Sequence, residues 1–557
     1  MKKYLLVWLI FQGLHMNAQV FPLKSDQQLI AQIELLTGNL FNTHTAIIPA
    51  SPLQTVEQVF KYLNTDQKNI PLMAESYLSK HVDELSLSKD SAVQIYFQKF
   101  REKSRMNYLY RDGRNFFSVY KKDFQFSINP LIDIHGGWQN EESNTLFTNR
   151  HGIRLKLTID KKVSIYSDIT DNQIKVPNYV DSFINLYDAI PGTGLYKSYN
   201  SKLLNIHHGY DYLLAEGAVN FNLSKHIQMS LGHGKHFIGN GLRSLFLSDF
   251  SAPQFYLRFN TNIWRLHYQN LFMELSPETI GSQGNRLLPK KYTASHYLSA
   301  NLTKNWNIGF FESVVFERSK GFELQYLNPV ILYRFIEHSL GSPDNVFLGF
   351  QSQILLRKTV SVYGQILFDE FLLKELIKQN GWWGNKYGIQ LGVKYMNAFG
   401  IERFNLQTEC NLVRPYTYTF RDSFANYSHF NQALAHPLGA NFKEFIFRMN
   451  YKPIEKLSLE ARWIYFHKGQ DENNLNYGGN ILKNYNSRIK DFNNELTQGI
   501  LEKVSSFILE TSYELLPESY IDLNIFYRSS NSSLKKQSGF WFTTGIRMNL
   551  DRLRFEF

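Results

Sequence analysis

Ile153-Arg154-Leu155-Lys156-Leu157-Thr158-Ile159-Asp160 alternates apolar and polar residues without a fault. A period of two sets Ile153, Leu155, Leu157 and Ile159 on one face of a strand and Arg154, Lys156, Thr158 and Asp160 on the other. The pattern recurs to the end of the chain. Phe404, Leu406, Cys410 and Leu412 alternate with Arg403, Asn405, Gln407, Glu409 and Asn411, and Leu457, Leu459, Ala461 and Trp463 with Ser458, Glu460 and Arg462. Phe540, Phe542, Ile546, Met548 and Leu550 do the same against Trp541, Thr543, Arg547 and Asn549. A soluble sandwich alternates in this way too, with its apolar face inward. Strand lengths and connections decide between the two.

From Phe124 onward there are roughly 18 strand candidates, many long enough to cross a membrane at a tilt. Short turns fall near Asp160-Lys161-Lys162, Leu223-Ser224-Lys225, Thr261-Asn262, Lys304-Asn305, Lys358-Thr359, Phe399-Gly400, Lys452-Pro453-Ile454 and Leu516-Pro517-Glu518. The connections between these pairs are long: 134–148, 172–209, 234–254, 276–292, 317–345, 372–385, 413–442, 468–499 and 528–538. Strict alternation of tight turns and long loops predicts an all-β transmembrane barrel of the outer-membrane type, turns on the periplasmic side and loops outside. The ending Arg554-Phe555-Glu556-Phe557 reads as the terminus of the last strand, with Phe555 and Phe557 as the signal that the barrel assembly machinery uses for insertion.

The N-terminus sets the compartment. Lys2 and Lys3 precede the apolar run Tyr4 to Phe11, and Met16-Asn17-Ala18 closes a secretory signal cut before Gln19. The division predicted is therefore a signal peptide over 1–18, a small helical periplasmic domain over 19–123 and the barrel over 124–557. Helical spacing supports the middle unit: Leu53, Val56, Val59, Phe60 and Leu63 share a face after Ser51-Pro52. Tyr77, Leu78, His81, Val82 and Leu85 repeat it, and so do Val93, Tyr96, Phe97 and Phe100 after Asp90-Ser91. No stretch of about 18 uninterrupted apolar residues follows, which excludes transmembrane helices.

Composition agrees with a barrel. The chain is polar on average, with a mean hydropathy of -0.32, yet 15% aromatic, as girdles at two interfaces around a polar lumen require. A net charge of +11 suits an acidic partner such as lipopolysaccharide or acidic glycan, and no nucleic-acid motif accompanies it. The single cysteine, Cys410, excludes an internal disulfide and reads as an inert buried thiol.

No G-x-S-x-G elbow, H-E-x-x-H pair, phosphate loop or cysteine-based metal motif occurs, so neither an enzyme nor a metal or cofactor is predicted. His233 and His236 in their glycine-rich setting read as hydrogen-bonding residues. The long loops carry the candidate contacts. Trp382 and Trp383 stand between glycines, and Arg414 precedes Tyr416 and Tyr418. Rings beside polar groups suit stacking on sugars or on a partner, and an interfacial aromatic belt needs the same residues and weighs more heavily. The segment Gly239 to Asp249 is unusually apolar for a water-facing loop. It is expected to plug the lumen, with Gly239, Gly241, Arg243, Ser244 and Asp249 as its marker residues, or else to form an outer lid.

Motifs from Phe124 onward carry a resemblance: His233 to Gly241 with Arg243 to Asp249, Leu327-Asn328-Pro329 with Tyr333-Arg334, Gly341-Ser342-Pro343-Asp344-Asn345, Gly381 to Lys386, and His436 to Asn441. They resemble Bacteroidota outer-membrane proteins of the gliding-motility RemB type, which in turn are similar to the capsule-assembly Wzi family. The resemblance implies a barrel with a helical periplasmic bundle and a non-enzymatic role at the cell surface. That role is attachment of capsular polysaccharide, or gliding motility beside type 9 secretion proteins. A porin-like transport channel is the alternative that the polar strand faces leave open, and a barrel hydrolase with its site assembled from distant loops is the third.

Overall fold

The computed structural model describes residues 24–48, 52–63, 70–88, 90–102, 110, 114–121, 123–140, 145–160, 162–202, 206–279, 287–318, 321–330, 332–341, 344–472 and 475–557. The signal peptide reading lies outside these residues.

Among the described residues, eighteen long strands close into one antiparallel barrel. In chain order they are β1 Phe124–Gln139, β2 Thr145–Ile159, β3 Val163–Lys175, β4 Ile206–Asn222, β5 Ile227–Gly234 and β6 Gln254–Ile263. Next come β7 Leu266–Leu275, β8 Lys291–Asn301, β9 Trp306–Phe316, β10 Asn345–Leu356, β11 Val360–Phe368 and β12 Tyr387–Tyr395. The last are β13 Phe404–Val413, β14 Phe442–Ile454, β15 Leu457–Gln470, β16 Ile500–Leu516, β17 Ser519–Asn531 and β18 Lys536–Met548. β18 closes the ring on β1, from Trp541 opposite Gln139 to Met548 opposite Ile132.

The orientation of the faces is the reverse of a soluble domain. Ile153 and Ile159 are 46% and 41% exposed, while Thr158 is buried and Arg154 turns inward to grip Asp168 of β3 with two hydrogen bonds of 2.8 and 2.6 Å. An apolar exterior around a charged, hydrogen-bonded interior is stable only where the exterior meets lipid.

Connections differ from the sequence reading in detail. β6 runs on to Ile263 opposite Leu266, so the turn is Trp264-Arg265 rather than Thr261-Asn262. β14 and β15 extend to Ile454 and Leu457 through an irregular register after Tyr451, which moves that turn to Glu455-Lys456. Two connections read as long are short, because β1 continues to Gln139 and β17 to Asn531. In the first case the strand runs on through Gly136 and Gly137. They lie in the ladder opposite Thr544 and Thr543, where a Cβ on Gly137 would come within 2.2 Å of the Phe542 carbonyl oxygen. Cys410 faces outward and is exposed on the chain's own surface, not buried in its core as its apolar neighbours suggested.

The N-terminal helices Lys24–Thr37, Pro52–Phe60, Ile70–Lys80, Val82–Leu87 and Ser91–Glu102 share a core of Ile30, Ile33, Val56, Val59, Tyr77, Leu78, Val93 and Phe97. They sit at the short-turn end: the Leu40 N–H donates to the Lys304 carbonyl (2.7 Å), Lys80 pairs with Glu518 (2.9 Å), and Leu35 packs on Leu355 and Met396. The unit is not separate from the barrel. Phe117–Tyr120 pairs with β1, and residues 41–48 enter the lumen, where His44 meets Ser299 at 2.8 Å and Ile47–Ile48 pair with Ile238 and Phe237.

Glu34 anchors this inserted segment, accepting from the Phe41 N–H (2.7 Å) and the Thr45 hydroxyl (2.8 Å). Burial pushes its acid up from 4.5 to about 7, against the lowering effect of those two donors. A raised folded-state value means that the stabilisation is complete below the unfolded value near 4.5 and is lost as pH rises through about 7. Proteolysis of the helical unit is therefore expected to quicken as pH rises from about 4.5 to about 7. Glu34→Gln should flatten that profile, and an unchanged profile in the variant would remove Glu34 from the account.

Candidate functional site at the long-loop face

The lumen is filled from the long-loop end by residues 235–253. Gly239, first of the marker residues, donates its N–H to the Ala46 carbonyl (2.8 Å), which joins the loop to the inserted N-terminal segment. Gly241 is required by close approach, since a Cβ there would lie 2.4 Å from Oε2 of Glu409. That carboxylate, from β13, accepts the N–H groups of Leu242 (2.7 Å) and Arg243 (3.1 Å) and the Tyr363 hydroxyl (2.8 Å). Ser244 Oγ accepts from the N–H groups of Phe246 (3.1 Å) and Leu247 (3.3 Å), which turns the chain so that Leu245, Phe246 and Leu247 are fully buried. Phe246 stacks on Phe311 with centroids 4.8 Å apart, over the space that Gly349 leaves. Asp249 lies part-buried near the loop's return to the wall.

Residues 414–441 close over this loop. The Tyr418 hydroxyl donates to the Leu245 carbonyl and the Tyr427 hydroxyl to that of Phe246, each at 2.8 Å. The Tyr416 hydroxyl donates to the Asn476 carbonyl (2.8 Å). Tyr416 and Tyr418 are therefore buried loop-to-loop ties and offer no ring to an outside ligand, contrary to the sequence reading. Both have positive φ, 66° and 72°, a backbone conformation that was invisible in the residue pattern.

The indoles divide. Trp383 is covered, with the Arg488 guanidinium 4.1 Å from its ring and Tyr485 at 4.8 Å. Trp382 instead lines a cleft of about 420 Å³ together with Glu375, Asn380, Asn385, Arg414 and Asn494. Arg414 Nη2 donates to the carbonyl oxygens of Trp382 (3.4 Å) and Asn494 (3.5 Å) and so ties the two sides of the cleft. Glu375 is kept below the usual carboxylate range by the hydrogen bond from Lys378 at 2.6 Å, with Asn380 a second donor. The cleft thus offers an apolar ring, carboxylate acceptors and amides that donate and accept, a set matched to hydroxylated ligands.

His233 faces outward, its Nδ1 2.8 Å from the Ala215 carbonyl, and His236 is buried edge-on to Tyr256. Among the described residues no three His, Cys, Asp or Glu side chains gather as a metal site would require.

The closing residues depart furthest from expectation. The last strand ends at Met548, and Asp551–Phe557 turns back into the lumen instead of completing a strand with Phe555 and Phe557 on its lipid face. Buried acids attract it: Arg552 and Arg554 reach Glu510 at 2.8 and 2.7 Å, and Glu556 pairs with Arg462. Phe557 lands on Phe183 and Phe250, and the Tyr179 hydroxyl donates to the Phe555 carbonyl.

Sequence reasoning missed Glu409, Glu444 and the buried Lys386–Asp369 pair at 3.0 Å. A carboxylate on a lumen-facing strand position opposite an apolar, glycine-bearing loop was the available signal for Glu409.

No protein-family profile and no curated protein matches the chain. Among solved structures it is similar to Wzi of Escherichia coli, described as an outer-membrane protein involved in group 1 capsule assembly and a carbohydrate-binding β-barrel. That likeness has a TM-score of 0.54 at 12% identity and covers 96% of this chain and 100% of the other. Pseudomonas aeruginosa OprD gives 0.42 at 13% identity, over 76% of this chain and 94% of that one. OpdK of the same organism gives 0.43 at 8%, over 77% and 99%. The first likeness establishes a shared barrel fold.

Proposed function

We propose that this chain is a non-enzymatic outer-membrane barrel that holds surface polysaccharide at its long-loop face, with the helical unit on the periplasmic side. The observation that carries the reading is the pairing of a lumen filled by an apolar core with an open cleft, bounded by Trp382, Asn380 and Arg414, on the long-loop side. The capsule-assembly barrel of the same fold supports it, as does the resemblance of the loop motifs to RemB-type proteins. A porin-like channel needs a continuous aqueous path, and the burial of Leu245, Phe246 and Leu247 speaks against one. An association with gliding or type 9 secretion proteins rests on the motif resemblance, and co-purification from mild detergent tests it.

Binding of purified surface polysaccharide to the detergent-solubilised protein is the direct measurement. Trp382→Ala should weaken it about tenfold, since one ring-stacking contact contributes on the order of 1 kcal/mol beyond its buried area. Tyr416→Phe, which touches only the loop tie, should leave affinity within about twofold. Undiminished binding in Trp382→Ala would exclude the cleft as the site.

A further inference from the structure

The connection between β9 and β10, described at 317–318, 321–330, 332–341 and 344, does not stand above the barrel. It folds down over the outer wall, burying Tyr326, Tyr333 and Ile336 against Phe272, Ala294, Val314 and Phe316. Arg318 and Asp344 staple its two ends together (2.9 and 2.7 Å), and the Tyr326 hydroxyl donates to the same carboxylate (2.6 Å).

The wall beneath explains why it lies there. Register sets Phe259, Asn270, His296, Glu312 and Leu348 in one row across β6 to β10, all pointing outward. The neighbouring row toward the short turns is Tyr268, Leu298, Phe310, Phe350 and Ile366, and that toward the loops is Phe272, Ala294, Val314 and Val346. Asn270, His296 and Glu312 are thus a polar patch inside the apolar band, where each would be costly against acyl chains. The connection seals all three: the Tyr333 ring lies 4.1 Å from that of His296, and the Arg334 N–H points to Glu312.

Its other side is apolar. Val330, Leu324 and Phe335 are 84%, 72% and 67% exposed, with Leu327 and Leu332 beside them. Such a ridge is costly in water, and it lies over the level at which the flanking Phe350 and Ile366 already form the band. Arg334 shares the exposed side, pairs with Glu337 and has the reach to carry its charge to a headgroup. We propose that the described residues of this connection form a membrane-embedded strap whose Leu324, Leu327, Val330, Leu332 and Phe335 meet lipid acyl chains and take the place of the barrel wall as the lipid-facing surface. This rests on the barrel spanning a membrane, and on nothing about its glycan.

The test uses the full chain in phospholipid nanodiscs, in a Cys410→Ser background, with a fluorophore attached after Val330→Cys or, separately, Leu324→Cys. Leu391→Cys on the bare wall and Leu534→Cys on the β17–β18 connection are the two references. The strap positions should be quenched by nitroxide-bearing lipid as strongly as 391 and by iodide several-fold less than 534. Iodide quenching at the level of 534, with 391 still protected, overturns the strap while leaving the barrel reading intact. Iodide quenching at 391 as well overturns the membrane reading itself. Protection of the strap positions from both quenchers means that a second copy of the chain covers the ridge, which also overturns the lipid assignment.

Discussion

Replacement of residues 236–249 by a short glycine-serine linker is expected to turn a silent barrel into a conducting one. In planar bilayers the native protein should pass no sustained current, because three segments meet inside it. Residues 235–253 supply the apolar centre, Ile47–Ile48 pair with Phe237–Ile238 from the short-turn side, and Tyr418 and Tyr427 hold the Leu245 and Phe246 carbonyls from the loop side. Removing the centre takes the partner strand from one neighbour and both acceptors from the other. Each of Leu245, Phe246 and Leu247 contributes about 1.5–3 kcal/mol through burial, so the variant should also unfold at lower temperature. Phe246→Ala alone should cost about 3–5 kcal/mol, since its partner Phe311 and the space beside Gly349 cannot collapse onto an alanine. A linker variant that stays silent would show that the helical unit seals the short-turn mouth by itself, and would remove the loop as the closing element.

The barrel was legible because its rule is local. Period-two alternation at Ile153–Asp160 needs only eight residues to declare two faces, and loop length sorted the two ends without any tertiary information. Burial then assigned the faces: Ile153 outward and Arg154 inward onto Asp168. The errors fell where local chemistry gave the wrong cue. Gly136-Gly137 signals a loop by composition, whereas their pairing with Thr544 and Thr543 is set by β18, some four hundred residues away in the chain.

The loops were legible only in part, for the same reason. The density of Leu242, Leu245, Phe246 and Leu247 argued for burial, and Leu245, Phe246 and Leu247 are buried, but the carboxylate that turns the backbone, Glu409, sits on a distant strand. Trp382 and Trp383 were indistinguishable as a pair, and only the structure shows that Arg488 and Tyr485 pack on Trp383 while Trp382 lines the cleft. The strap over β7 to β9 had no signal in the pattern at all. His296 and Glu312 interrupt apolar alternation by one residue each, and their shared row appears only once register is known.

Glu510→Gln is expected to release the tail from the lumen. Glu510 is buried on β16 and faces Arg462 (2.7 Å), Arg552 (2.8 Å) and Arg554 (2.7 Å) at once. Around it the described ion pairs join Arg448, Arg462, Arg547, Arg552 and Arg554 to Glu460, Glu510, Asp522 and Glu556. The amide keeps the shape and removes the charge, leaving guanidinium groups buried without compensation, at a cost of about 3–5 kcal/mol. The wall arginines cannot leave, but Arg552 and Arg554 can, by carrying Asp551–Phe557 out. Trypsin should then cut after Arg552 or Arg554 in the folded variant and leave the tail of the native protein uncut, with the lost fragment read by mass. Adding Arg554→Gln to Glu510→Gln removes one of the stranded charges and should restore part of the protection, a coupling that independent sites would not show. If the single variant resists trypsin as the native protein does, the ion pairs do not hold the tail. The contacts of Phe557 with Tyr179, Phe183 and Phe250 then hold it instead.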